Sequence, residues 1–220
     1  RIIPSEGCAG DDMLAVYSPV SDYPGKVLLP GVITDLLGMD AVEIEAVRVI
    51  CCELDLGIQL LLNLICPLIQ HGRRDQGTEI LNHSRHDLPM EQRLEIMRRQ
   101  LTCDLFLSGC NALTLSGALV NIDATGNRVA SMFFGPRKVI VVAGRNKLVE
   151  GTVQDAIQRV KDRATPPNAK RLNFKTPCAS TGFCSDCNSP ERICRITTVI
   201  ERKPRFTDLH VLVVNAELGF

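Results

Sequence analysis

The run Val139–Ala143 constrains the fold most, because all five residues are apolar and four of them are β-branched. A strand that is buried on both faces carries such a run, whereas a strand with one solvated face alternates. Three further segments have the same strand-like character: Asp104–Ser108, Ile196–Ile200 and His210–Val214. With helices between them, these runs predict an α/β fold whose mixed or mostly parallel sheet is flanked by helices.

A helix is predicted after Thr152, where apolar residues recur at helical spacing from Val153 to Val160. Asp155 follows Thr152 by three residues, which approximates a capping box. Arg159 belongs to the polar residues expected to face water. The pair Pro166-Pro167 is expected to end this helix, because proline has no N–H to donate.

The first hundred residues have weaker periodicity. A second helix is predicted over Leu88–Gln100, with Pro89 at its start. Before it, Asp40 to about Leu64 is interpreted as a long helix and Gly72–Asp87 as a polar loop. Two short strands are expected nearer the start, at Met13–Val16 and Lys26–Leu29.

Composition excludes several classes. The 220 residues are 45% hydrophobic, so a disordered chain is excluded. The 25 basic and 25 acidic side chains cancel, and there are no Trp and only two Tyr, which argues against nucleic-acid binding. Residues 101–220 nevertheless hold 16 basic and 10 acidic side chains. This half of the chain is therefore expected to attract a small anion.

Neither a signal peptide nor a membrane span is expected. Arg1–Asp12 has no apolar core, and the most apolar stretch, Leu56–Ile69, is only 14 residues long and contains Pro67. That stretch is interpreted as a buried helix. Together with clustered cysteines, these features favour a location in the reducing cytoplasm.

Four of the ten cysteines lie within 17 residues and have the spacing C-x5-C-x2-C-x6-C. Cysteines two residues apart can bind one ion, and two more complete a tetrahedral set of sulfurs. The surrounding sequence has few large apolar side chains, so a metal would supply order that a core cannot. The sequence predicts a Zn²⁺ ion or a 4Fe–4S cluster at Cys178, Cys184, Cys187 and Cys194.

The alternative for these four residues is a set of free or redox-active thiols in a surface loop. The other six cysteines are scattered among apolar residues and are interpreted as small core residues. These are Cys8, Cys51, Cys52, Cys66, Cys103 and Cys110. The four histidines form no metal-binding pattern.

A polar constellation follows the predicted strand that ends at Asp123. Gly126 permits a close backbone approach, and Asn127 and Arg128 follow it directly. Lys147 occupies the equivalent place after Val139–Ala143. Because open α/β sheets bind ligands at the carboxyl ends of their strands, we expect a site for a small anionic metabolite here. Arg128 and Lys147 would hold a carboxylate or phosphate, while Asp123 and Asn127 orient it.

The alternative is that these polar side chains only satisfy the backbone of turns. No serine-hydrolase triad, phosphate loop or dinucleotide fingerprint is present.

These motifs resemble the LUD (lactate-utilisation) domain family, over about Leu88 to Phe220. The residues that carry the resemblance are Ser108–Thr114, Gly117–Ala130, Phe134–Ile140 and Gly144–Lys147. Four further features resemble the short, single-domain branch of the family: Thr176–Cys178, the C-x2-C pair, Arg192–Cys194 and Glu217–Phe220. Asn111, Asp123, Asn127, Arg128 and Lys147 match polar positions of the family pattern.

The resemblance implies a fold akin to the sugar-phosphate isomerase and CoA-transferase superfamily, and a role in oxidising lactate to pyruvate beside iron–sulfur partner proteins. It predicts a core over residues 88–220, with a Cys-rich segment at 176–194, and a divergent N-terminal part over 1–87. Two other functions stay open: a non-catalytic accessory subunit with structural zinc, and an isomerase- or transferase-like enzyme acting on a small anionic metabolite.

Overall fold

A computed structural model describes residues 14–17, 49–51, 79–85 and 87–220. Its larger sheet has six strands, all parallel, in the order β1-β10-β7-β4-β2-β3. These are β1 (Leu14–Tyr17), β2 (Val49–Cys51), β3 (Ile80–Leu81), β4 (Leu105–Gly109), β7 (Lys138–Gly144) and β10 (Asp208–Val214). The predicted strand Val139–Ala143 forms the buried body of β7, between β10 and β4, so its central place is confirmed.

The smaller sheet is mixed and has the order β8-β5-β6-β9. Its strands are β5 (Ala112–Thr114), β6 (Leu119–Asp123), β8 (Leu148–Val149) and β9 (Ile196–Ile200). β5 and β6 form an antiparallel hairpin, and Gly117 in its turn has φ +92°, a conformation that favours glycine. The smaller sheet places the carboxyl end of β6 beside the start of β9.

Helices flank the sheets, as predicted. They are α1 (Met90–Gln100), α2 (Asn127–Phe133), α3 (Val153–Arg159), α4 (Thr165–Arg171) and α5 (Pro177–Thr181), with a 3₁₀ turn at Arg145–Lys147. Within the described part of the chain, no helix has the length and apolar character needed to span a bilayer.

The capping box of α3 is confirmed. The Thr152 hydroxyl accepts a hydrogen bond from the Asp155 backbone N–H at 3.3 Å, and the Thr152 backbone N–H donates to the Asp155 carboxylate at 2.7 Å. The predicted end at Pro166-Pro167 is wrong. The helical path continues through a π-helical segment, Val160–Ala164, into α4, where the prolines occupy the first turn. Proline is tolerated there because first-turn N–H groups have no partner in the helix.

Two predictions for the N-terminal region need correction. The helix over Asp40–Leu64 is wrong at Val49–Cys51, which form β2 between β3 and β4. A β-branched Val-Ile pair suits a strand, and the neighbouring strands override the longer helical pattern. The predicted loop Gly72–Asp87 contains β3, whereas the strand predicted at Met13–Val16 is present one residue later as β1. Lys26–Leu29 and Leu56–Ile69 lie outside the described residues.

The core of the larger sheet is apolar. Phe106 from β4, Val139 and Val141 from β7 and Leu209 from β10 are all buried in one cluster. Cys103 and Cys110 belong to the same cluster, which confirms the prediction that they are core residues. This core fixes the strands whose carboxyl ends carry the polar residues.

Candidate functional site

The Arg128 side chain lies in the first turn of α2 and is only about 10% exposed. Its Nε and Nη2 donate to Asp123 Oδ1 at 2.9 and 2.6 Å, and its Nη1 donates to Asn121 Oδ1 at 2.9 Å and to the Gly109 carbonyl at 3.1 Å. Nη2 also donates to Asn111 Oδ1 at 2.9 Å. These bonds use all five N–H groups of the guanidinium. Arg128 therefore has no donor left for a bound anion.

The acceptors of Arg128 are themselves held by backbone groups. The Asn111 N–H donates to Asn121 Oδ1 at 3.1 Å, and the Ile122 N–H donates to Asn111 Oδ1 at 2.9 Å. The Val129 N–H donates to Asp123 Oδ2 at 3.2 Å. We call Asn111, Asn121, Asp123 and Arg128 the Arg128 network. It ties the ends of β4 and β6 to α2 and to the start of β5.

Gly126 and Asn127 lie beside this network. Gly126 has φ +91°, and a Cβ built on it would come within 2.8 Å of Ile196 Cδ1, so both backbone shape and space require glycine there. Asn127 begins α2. Both residues line an apolar groove of about 520 Å³ between α1, α2 and β9. The structure thus brings five of the six predicted ligand-site residues to one end of β6: Asn111, Asp123, Gly126, Asn127 and Arg128.

Lys147 lies elsewhere, in the 3₁₀ turn that follows β7, and is only 2% exposed. The chain from 216 to 219 packs against that turn. The Arg145 N–H donates to the Ala216 carbonyl at 2.9 Å, and the Asn146 side chain accepts from the Leu218 N–H at 3.1 Å. This C-terminal segment covers the carboxyl end of β7, which the sequence predicted to be a ligand edge.

Sequence reasoning misplaced Arg159. It was expected to face water, but it is half-buried and donates to the carbonyls of Asn111 and Asn146, each at 2.7 Å. Burial lowers the pKa of its guanidinium. The available signal was its spacing: Arg159 follows the buried Ala156 by three residues and so shares its face of the helix. Arg159 joins the turn after β4 to the turn after β7.

The four predicted metal-binding cysteines line one small cavity of about 20 Å³. Cys178 is buried near the start of α5, and the other three are half-buried; all four are free thiols. Lys161 and Thr165 complete the cavity from the π-helical segment and α4. The folded chain therefore gathers four side chains that are up to 16 positions apart in the sequence.

Arg192 shapes the Cys-rich segment from within. Its guanidinium donates to the carbonyls of Cys187 and Cys194 at 2.6 and 2.7 Å, and to the Asp186 carboxylate at 2.8 Å. Asp186 also lies 3.7 Å from the Lys161 ammonium and has φ +46°. Hydrogen bonding to Arg192 is the main cause of the lowered pKa of Asp186. Polar bonds, rather than apolar packing, give this segment its shape.

Burial raises the pKa of the Cys194 thiol, and the nearby Cys184 and Cys178 raise it further; a hydrogen bond to the Thr165 hydroxyl, at 3.5 Å, opposes them. Among the described residues, no group of three or more His, Cys, Asp or Glu side chains is already arranged to hold a metal ion. The thiols thus share a cavity without converging on one point, and their crowding disfavours negative charge unless a cation is present.

The two features meet at one hydrogen bond. The Arg195 N–H, which directly follows the Cys-rich segment, donates to the Asp123 carbonyl at 3.0 Å. The next residue, Ile196, pairs with Asp123 in the β6–β9 ladder. The Cys-rich segment therefore leads directly into β9, the strand that pairs with Asp123 of the Arg128 network.

Comparison with known proteins identifies the family. The sequence model of the LUD domain matches residues 31–214, which is most of the chain. The chain belongs to the LUD domain family. A similar solved structure is a crystal structure of a DUF162 family protein from Deinococcus radiodurans, with 20% sequence identity and a TM-score of 0.38. The similarity covers 84% of this chain and 82% of that one. No curated protein matches.

The LUD domain match includes both the Arg128 network and the Cys-rich segment. It also begins at residue 31, well before residue 88, where the resemblance in the sequence was expected to start. Family membership therefore covers part of the segment predicted to be divergent.

Proposed function

We propose that this LUD domain protein is a binding component of the system that oxidises lactate to pyruvate, and that its Cys-rich segment binds one metal ion. Membership of the family supports the link to lactate utilisation. The observation that carries the metal proposal is the single cavity lined by Cys178, Cys184, Cys187 and Cys194. Four thiols in one small cavity are typical of a metal site rather than of unrelated surface cysteines.

The donor set and the space favour a single zinc ion. Four thiolates suit zinc, and they suit an iron–sulfur cluster equally well. A volume of about 20 Å³ has room for roughly one water-sized body, because one water needs about 10–15 Å³ measured in this way. A single ion therefore needs less rearrangement of the cavity lining than a 4Fe–4S cluster would.

Nearby cations suit a zinc–thiolate centre. Four thiolates and one divalent ion leave two negative charges, and Lys161 and Arg192 both line the cavity. When bound there, zinc supplies order and no redox chemistry. We therefore assign the protein a binding role rather than electron transfer.

The anion site needs a different set of residues from the one predicted. Since every N–H of Arg128 donates within the protein, its part is to position β4, β5 and β6. Asn127, in the groove at the start of α2, and Lys147, in the turn after β7, stay two separate predictions for contacts to a small anionic metabolite. Pyruvate and lactate, titrated against Lys147→Met and the unchanged protein, would test this by thermal shift.

The metal is tested by purifying the full chain without oxygen and measuring its elements by mass spectrometry. We expect about one zinc per chain and a colourless sample. Cys184→Ser and Cys187→Ser should lose zinc, whereas Cys103→Ala, which removes a buried thiol from the core, should keep it. A metal-free protein would contradict the proposal. Stoichiometric iron in a brown sample would show that the segment binds an iron–sulfur cluster instead of zinc.

The binding role is tested by lactate oxidation assays with and without iron–sulfur partner proteins. We expect the chain alone to oxidise no lactate and to raise the rate when the partners are present. Oxidation by the chain alone would contradict the binding role. Turnover of sugar phosphates or CoA esters would favour the isomerase- or transferase-like alternative.

A further inference from the structure

Phe183 is an exposed aromatic residue within the Cys-rich segment, between α5 and Cys184. Its side chain is 78% exposed. The preceding Gly182 ends α5 with φ +80°, and no atom lies within 4 Å of the position that a Cβ would take there. The chain therefore presents a large apolar side chain at an open corner of the surface, where it contributes little to the fold.

The surroundings of Phe183 are rich in cations. Residues 161–195 hold seven basic and three acidic side chains. The three acidic groups already have partners: Asp186 pairs with Arg192 and Lys161, Asp162 accepts from Gln158, and Glu191 accepts from the Lys175 N–H. A surplus of positive charge is left on this part of the surface.

Five exposed cations carry that surplus: Arg163, Lys170, Arg171, Lys175 and Arg195. Among the described residues, no carboxylate forms an ion pair with them. Lys175 precedes α5 and Phe183 follows it, and a five-residue helix is only about 7.5 Å long. Lys175 and Phe183 thus lie at the two ends of one short helix, close enough for one partner to contact both, and α4, which carries Lys170, packs against that helix.

We propose that the Cys-rich segment, with Lys170, Lys175 and Arg195, is a docking surface for a protein with an acidic surface, into which Phe183 inserts. Opposite charge brings such a partner in, and a buried aromatic anchor supplies most of the affinity. A nucleic acid is the less suitable occupant, because one isolated aromatic gives no series of stacking positions. The docking surface rests on the proposed function in one respect: the proposed metal would order the segment that carries Phe183.

The test uses the zinc-loaded full chain and a fluorescein-labelled peptide of glutamate and leucine, with binding read by fluorescence anisotropy. We expect Phe183→Ala to weaken binding about tenfold. Phe206→Ala is the matched control, because Phe206 is 81% exposed but lies in the loop before β10. Lys175→Glu should weaken binding and flatten its salt dependence, whereas Arg137→Glu, an exposed change outside the segment, should do neither.

Three results would overturn the docking surface: equal binding of a peptide with glutamine in place of glutamate, equal binding by Phe183→Ala, or preference for a single-stranded oligonucleotide. Metal content measured on the same samples separates this inference from the proposed function. A protein that contains zinc but does not bind the peptide would support the metal site and overturn the docking surface. Peptide binding that depends on Phe183 without zinc supports the docking surface and contradicts the metal.

Discussion

The Arg128 network and the Cys-rich segment solve the same physical problem in opposite ways. Both hold polar groups out of water. In the Arg128 network each buried charge has its counter-charge within the chain, since the guanidinium meets the Asp123 carboxylate and two amide oxygens. In the Cys-rich segment the thiols are crowded together, and burial with crowding raises the pKa of Cys194, an effect that the nearby Arg192 offsets only in part.

Under the proposed function, this difference separates a part that is complete when folded from a part that a bound metal ion would complete. A satisfied network stabilises the junction of strands and needs no ligand. Crowded thiols become favourable as thiolates once a cation joins them.

Arg128→Ala should lower the free energy of unfolding by about 3–5 kcal/mol, because it leaves the Asp123 carboxylate buried without its counter-charge. Urea unfolding followed by circular dichroism measures this. Arg145→Ala, an exposed change, should stay within about 0.5 kcal/mol of the unchanged protein. A loss below about 1 kcal/mol for Arg128→Ala would show that the internal bonds of the network do not stabilise the strand junction.

Removal of the metal should loosen the Cys-rich segment while the sheets stay folded. Trypsin can cut after Lys175, Arg192 and Arg195, and we expect EDTA to speed these cuts about tenfold, equivalent to about 1.4 kcal/mol of local stability. Cleavage after the exposed Arg137 is the internal control. Equal acceleration at all sites would mean that the metal supports the whole fold, and no acceleration would mean that the segment is ordered without it.

The Thr152 cap should act on both regions alike, because the run from α3 to α4 contributes Arg159 to the strand ends and Thr165 to the cysteine cavity. Thr152→Ala should cost about 1 kcal/mol of unfolding free energy, and Thr152→Ser should restore most of it. Urea unfolding and zinc content are the two measurements. Loss of zinc without loss of stability would show that the cap serves the Cys-rich segment alone.

The smallest effect is a pH dependence of the metal-free protein. Since the pKa of Cys194 is raised in the folded state, the unfolded chain releases that proton more easily. The free energy of unfolding should therefore not change with the Cys194 thiol below its unfolded-state pKa, near 8.5. It should fall as pH rises from there through the higher pKa of the folded state. Cys194→Ser should lessen this fall. An identical pH profile for that variant would place the effect on another group.

The sequence was sufficient to predict the central strands and the cysteine set. Val139–Ala143 fits only a buried strand, and four thiols at short spacing within a turn-rich segment have little choice but to lie together. The Thr152 cap was predictable for the same reason, since both of its partners lie within four residues. Local chemistry decided these features.

Features decided by distant partners were not predictable in this way. Val49–Cys51 forms a strand because it pairs with β3 and β4, and a local sequence pattern does not indicate such pairing. The Arg128 side chain looked like a free cation, because its acceptors Asn111 and Asn121 lie 17 and 7 positions away. Arg159 was misjudged similarly, since its carbonyl partners come from two other turns.

The widened turn at Val160–Ala164 has a consequence for the length of the chain. A π-helical turn bonds residues five apart and so holds one residue more than an α-helical turn. Removing one residue there would let an ordinary helical turn close, and α4 would keep nearly its present orientation, because the wide turn is what accommodates the extra residue. A deletion within α3 would instead rotate everything after it by about 100° around the axis and turn Thr165 away from Cys194. The chain therefore tolerates a change of length at this one turn better than at its neighbours.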